Sequence, residues 1–207
     1  GTWDTLDTEI DVAKLSLTLS KNGKTRTIFP ELTLLQLQDF SAFMGGLTKE
    51  VTASKVQTFS FPVSVGGALS LKDGTLTYNL SACDADATYA IHVIDDDAEV
   101  ENHIEIVPVG CTAGAVKTIS VIDAIGVMID ADTTTRVKIN FQSGKSIELD
   151  AVEIAEIGRI TNPVAQNDDG VIASGAQALE YLNIMDAVSI EVNVSTTQNV
   201  LVVNVQN

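Results

Sequence analysis

Alternation with a period of two constrains this chain more than any other feature. Leu15, Leu17 and Leu19 alternate with Ser16 and Thr18, and Phe59, Phe61, Val63 and Val65 alternate with Ser60, Pro62 and Ser64. Val137, Ile139 and Phe141 repeat the pattern, as do Val188, Ile190, Val192 and Val194. Successive side chains of a strand point to opposite faces, so such runs make strands with one buried and one solvated face. Between them fall Asn22-Gly23, Asp73-Gly74, Ser143-Gly144 and Asp169-Gly170, pairs that supply the positive φ of tight hairpins. Leu69 to Leu80 reads as one such hairpin. The predicted fold class is therefore mainly β: an antiparallel β-sandwich or jelly-roll-like architecture with two or three short helices on its margin. The alternative is an α+β arrangement of two similar halves.

The helices show in their starts. Thr33 and Gln36 stand at capping-box spacing, followed by Leu34, Leu37, Phe40 and Met44 at helical period up to Gly45-Gly46. Asp150 and Glu153 repeat the spacing, with Val152, Ala155 and Ile157 apolar and Gly158 as the stop. A third helix is expected from Ser174-Gly175-Ala176-Gln177 through Ala178, Tyr181 and Leu182 to Met185. Each is about three turns and too short to hold alone in water, so all must pack on the sheet. The first two close similar units of strand, glycine turn, strand and capped helix: Lys14 onward and Arg136 onward. This is either an internal duplication or generic turn and cap chemistry. At 207 residues the chain makes a single β-rich domain or two closely packed halves, about 1–110 and 111–207. Pro108, Gly110, Thr112 and Gly114 thin the pattern between them.

The last strands differ from the rest. Val188–Val194 and Val200–Val205 flank Ser195-Thr196-Thr197-Gln198-Asn199, and in the second run Val200 and Val202 oppose Leu201, Val203 and Val205. A strand apolar on both faces is central and covered. At a sheet edge it would instead be an adhesive surface.

Charge narrows the partners. Twelve Lys and Arg stand against 28 Asp and Glu, a net charge of −16, which argues against direct contact with nucleic acid or an anionic membrane surface. No run approaches the 18 or so uninterrupted apolar residues of a membrane-spanning helix, so membrane insertion is not expected. Gly1-Thr2-Trp3-Asp4 has neither the basic nor the apolar region of a secretion signal. Cys83 and Cys111 are too far apart for a redox CxxC pair. Two buried free thiols are expected, or one disulfide in an extracellular protein. Asn79-Leu80-Ser81 and Asn193-Val194-Ser195 are glycosylation sequons in strand-like text.

Chemistry is harder to place. His92, in Tyr-Ala-Ile-His-Val-Ile, reads as a sheet-facing strand residue, and His103 as a solvated strand start. Neither a Gly-x-Ser-x-Gly elbow nor a phosphate loop occurs. No catalytic or cofactor-binding residue is assigned and no enzyme activity is expected. A carboxylate-pair glycosidase would want aromatic sugar platforms, and one Trp, three Tyr and six Phe leave little to build them. The densest acid run, Asp95, Asp96 and Asp97 with Glu99 and Glu101, is the candidate metal site. Oxygen-rich loops of this kind can hold Ca²⁺, and like charges this close repel unless a cation screens them. A solvated acidic turn explains the same residues. Asp84-Ala85-Asp86, Asp130-Ala131-Asp132 and Asn167-Asp168-Asp169-Gly170 are smaller clusters.

The function expected from this texture is structural and non-enzymatic: a self-assembling, acidic homo-oligomer whose partners are copies of itself and other structural proteins. A virion component fits best, whether capsid or coat, decoration or tail. The alternatives are an extracellular filament subunit and a Ca²⁺-assisted carbohydrate-binding or adhesin module at the cell surface.

Overall fold

The computed structural model describes residues 12–44, 49–53, 56–63, 65, 74–85, 87–93, 103–161 and 179–206. The protein is mainly β and every sheet is antiparallel. Strands β1 (Lys14–Lys21) and β2 (Lys24–Thr33) lead into helix α1 (Leu34–Phe43). Strands β3 (Lys49–Ala53), β4 (Val56–Ser60), β5 (Gly74–Ser81), β6 (His103–Cys111), β7 (Val116–Ser120) and β8 (Ala124–Ile129) follow. Next come β9 (Thr134–Phe141), β10 (Ser146–Asp150) and α2 (Ala151–Thr161), then β11 (Glu180–Asn183), β12 (Ala187–Val194) and β13 (Gln198–Gln206).

Three sheets are stacked. The orders are β2-β1-β5, β11-β8-β13-β6 and β10-β9-β12-β7, and β3 and β4 form a separate ribbon. The middle sheet is buried on both faces. Toward β7, β9, β12 and α2 it presents Val127, Ile129, Leu182, Val200 and Val202, which pack with Ile119, Val137, Ile154, Ile190 and Val192. Toward β1, β2 and α1 it presents Ile104, Ile106, Met128, Tyr181, Leu201 and Val203, which pack with Leu17, Phe29, Leu37 and Phe40. The two-faced last strand is thus explained: β13 runs between β8 and β6, and its odd and even residues feed different cores.

Local chemistry sets the turns and caps. Asn22 and Gly23 both have positive φ, 54° and 72°, so β1 and β2 close on a two-residue turn with Lys21 opposite Lys24. In α1 the Thr33 hydroxyl accepts from the Gln36 amide at 3.1 Å, while the Gln36 side chain accepts from the Thr33 amide at 3.0 Å. Asp150 and Glu153 make the same reciprocal pair at 2.9 and 3.0 Å. Both capping boxes are therefore formed. Pro30 lies where the β1–β2 register slips between Leu15 and Leu17, and a bulge accommodates a residue without an amide donor.

Three expectations are corrected and a fourth falls partly outside the described residues. The segment read as a third helix through Tyr181 and Leu182 is strand β11, paired with β8. Tyr181 enters one core and Leu182 the other, so a strand buried on both faces mimicked the apolar spacing of a helix. Gly158 does not end α2, which continues to Thr161. Pro108 lies inside β6, at the end of its sheet's order, where a missing donor costs no ladder bond. Of the Leu69–Leu80 hairpin, the arm from Gly74 is β5, which pairs with β1; residues 69–73 lie outside the described residues.

Candidate functional site

The candidate Ca²⁺ run at Asp95, Asp96 and Asp97 lies outside the described residues, as do Glu99, Glu101, Asp86 and Asn167-Asp168-Asp169-Gly170. Asp130 and Asp132 are described, and their geometry is that of a self-satisfied turn. Asp130 Oδ1 accepts from the Asp132 amide and Oδ2 from the Thr133 hydroxyl, both at 2.9 Å. Nearby, Glu180 accepts from the Ala131 amide at 2.7 Å. Burial pushes the Glu180 carboxyl up; the Ala131 hydrogen bond opposes the shift, and the charges of Asp130 and Asp132 reinforce it. Among the described residues no group of three His, Cys, Asp or Glu is placed to hold a metal ion.

The two histidines change roles. His92 is exposed and outside any strand, because residues 87–93 are irregular. His103 does begin β6, but it is buried rather than solvated, with Nε2 3.2 Å from Glu105 Oε1. The same carboxylate oxygen accepts from Arg26 Nη2 at 2.8 Å, and that guanidinium nitrogen also donates to Gln206 Oε1 at 3.3 Å. Arg26 comes from β2 and Glu105 from β6, so the cluster ties the end strand of the outer sheet to the end strand of the middle one. Sequence reading missed it because Arg26 and Gln206 each lie about 80 to 100 positions from the His103–Glu105 pair and share no motif with it.

The cysteines are both free. Cys83 is exposed, against expectation, and Cys111 is buried. Cys111 lines an open hollow with Gly110, Thr112, Thr197, Gln198 and Asn199. Its thiol donates to the Val109 carbonyl, and burial raises its pKa against the opposing charge of Lys117. It is a protonated, weakly nucleophilic thiol at neutral pH.

The outer face of the β10-β9-β12-β7 sheet is a lattice of charge pairs. Lys138 Nζ donates to Glu191 at 3.1 Å and Arg136 to Glu148 at 3.3 Å, and the Asn140 amide donates to Ser189 and Glu191. These hydrogen bonds from Lys138 and Asn140 hold the Glu191 carboxyl below its ordinary range. Apolar side chains are left outside as well, several of them at sheet ends. Val107 on β6, Val116 on β7 and Ile147 on β10 are 40%, 52% and 50% exposed, and each stands on the last strand of its sheet. Ile122 and Met185, on turns, are exposed further.

No protein-family model matches the chain, and no curated protein matches it at a significant level. Among solved structures it is similar to the major capsid protein P2 of bacteriophage PM2. Identity there is 9% and the TM-score 0.45, over 95% of this chain and 86% of that one. It is also similar to the PBSX exported protein XepA, at 14% identity and a TM-score of 0.28, over 95% of this chain and 73% of that one. Overlap at this level leaves the fold assignment to the strand pairing itself. Among the described residues no helix is long and apolar enough to cross a membrane.

Proposed function

We propose that this chain is a non-enzymatic structural protein that assembles with copies of itself and with other structural proteins, as a coat, decoration or tail part of a virion. One observation carries the reading: three sheet-end strands, β6, β7 and β10, each hold a β-branched residue half in water, at Val107, Val116 and Ile147. An end strand offers backbone donors and acceptors to another chain, and an apolar side chain beside them adds area to be covered. The middle sheet, with its last strand sealed between neighbours, supplies a rigid scaffold behind these edges.

Light scattering on the full chain across a concentration series tests this. Mass should rise with concentration, and Val116→Lys with Ile147→Lys should lower it, because a lysine at an edge repels a docking strand. A wild-type mass that stays at one chain throughout, with or without Ca²⁺, contradicts self-assembly. A melting temperature raised by Ca²⁺ alone would favour the adhesin alternative through linkage of binding to folding.

A further inference from the structure

The β10-β9-β12-β7 sheet stops at both ends on groups able to continue it. Val121 donates its amide to the Val188 carbonyl at 3.1 Å, one rung beyond the Ser120–Ser189 pair. Antiparallel rungs alternate between bonded and non-bonded pairs, so the amides and carbonyls of Val116, Thr118 and Ser120 point away from β12. At the other end Phe141 donates to the Lys145 carbonyl at 2.9 Å, one rung before the Ser146–Asn140 pair. By the same alternation the backbone of Ser146 and Glu148 points away from β9. β7 and β10 end the sheet, and all five of these residues are exposed. Three successive antiparallel pairings separate the two strands, so they run in opposite directions. Their side chains keep step as well: Ile147, Ile139, Ile190 and Ile119 form one row across the sheet, which ends at Ile147 half in water. β6 is less open, because Ile104 spends an outward amide on the Val65 carbonyl at 2.7 Å and Pro108, facing the same way, has none.

We propose that β10 of a second copy of the chain pairs antiparallel with β7, continuing the sheet from molecule to molecule. The inference rests on the self-assembly reading above and specifies its contact. With Thr118 opposite Glu148 of the second copy, outward backbone groups meet outward backbone groups on alternate rungs. In the same register Ile147 of the second copy falls opposite Ile119 and extends the isoleucine row, which covers its exposed half. The contact is made by main-chain groups, so the pairing of Glu148 with Arg136 at home is kept. Charge sets which edges meet. Residues 116–120 carry one lysine and no acid, whereas residues 145–150 carry one lysine and two acids. β7 therefore meets β10 with opposite sign, and either strand meets itself with like sign. Two different edges make the contact heterologous, and with the twist of the sheet such contacts build rings or open helical arrays.

Two variants of the full chain, each with one edge blocked, test the contact. Thr118→Pro removes an outward amide of β7 and Ser146→Pro one of β10; neither amide serves the home ladder, so both chains should fold, which circular dichroism checks. Ser120→Pro and Glu148→Pro, at the other outward positions, replace a variant that does not fold. Light scattering reads each variant alone and the two mixed in equal amounts, at a concentration where the wild type assembles. Each variant keeps one working edge and lacks its complement. Each alone should therefore stay at 21.9 kDa, and the mixture should form a pair of twice that mass. Variants that assemble alone as the wild type does overturn the β7–β10 contact and leave self-assembly standing. A Ser146→Pro chain that dimerises alone shows β7 meeting β7 and overturns it too, as does a mixture that forms no pair. A wild type that is monomeric at every concentration ends both readings.

Discussion

At the residue scale, a few side chains hold positions that no neighbour in sequence announces. Gly126 on β8 is one. The Tyr181 phenol from the adjacent strand lies where a Cβ on Gly126 would stand, so the glycine is required by the ring above it. Gly126→Ala should therefore destabilise the fold by about 1–3 kcal/mol, the ordinary penalty of overpacking, and Tyr181→Ala in the same chain should relieve the clash while opening a cavity; denaturant titration of the single and double variants checks this. The caps, by contrast, were legible: Thr33 with Gln36 and Asp150 with Glu153 follow from spacing alone, because the capping box is a contact between residues three apart. Thr33→Ala should cost about 1 kcal/mol. Glu180 offers a pH test. Burial raises its folded pKa, so the folded state binds more protons than the unfolded one, and stability falls as pH rises from the unfolded toward the folded value. Glu180→Gln can keep the Ala131 hydrogen bond and removes the titration. Its melting temperature should match the wild type near pH 4 and exceed it at pH 7; a gap that shrinks with rising pH contradicts the assignment.

At the element scale, burial on one face and on two faces have different signatures, and the difference explains where sequence reading succeeded and failed. Strands β1, β9 and β12 alternate cleanly because one side faces core and the other water, as Val137 and Ile139 do beside Arg136 and Lys138. β13 was legible as a covered strand because four apolar residues, Val200 to Val203, run consecutively. β11 was not, since four residues are too few to separate the two periods and its two core residues match helical spacing. Substitution should expose the same distinction. Leu201→Ala and Val202→Ala, adjacent on β13, feed different cores, and each should cost about 2–4 kcal/mol. On β9, Val137→Ala should be similarly costly while its neighbour Lys138→Ala, which loses only a half-exposed ion pair, should cost far less. Equal costs at Val137 and Lys138 would mean that the outer face of β9 is also covered.

At the scale of the whole molecule, the two stretches about 1–110 and 111–207 are stitched together. β6, from the first, pairs with β13 from the second, and Leu179, just before β11, donates its amide to the buried Asp39 carboxylate of α1 at 3.0 Å. One cooperative unfolding transition is the expected outcome, with circular dichroism and fluorescence coincident; two separated transitions would show independent halves. This interlocking was hidden from sequence because the pairing of β6 with β13 spans roughly 90 residues, and no local pattern encodes which strand becomes a neighbour. The same holds for the exposed edges: Val107, Val116 and Ile147 read in sequence like any core residue, and only the order of strands leaves them at the ends. The candidate site is thus less legible than the fold. Its central claim, assembly through sheet edges, is tested most directly by negative-stain imaging of the purified full chain at low salt. Rings, shells or filaments of uniform repeat are the predicted result. Dispersed single chains of 21.9 kDa at every concentration would contradict it.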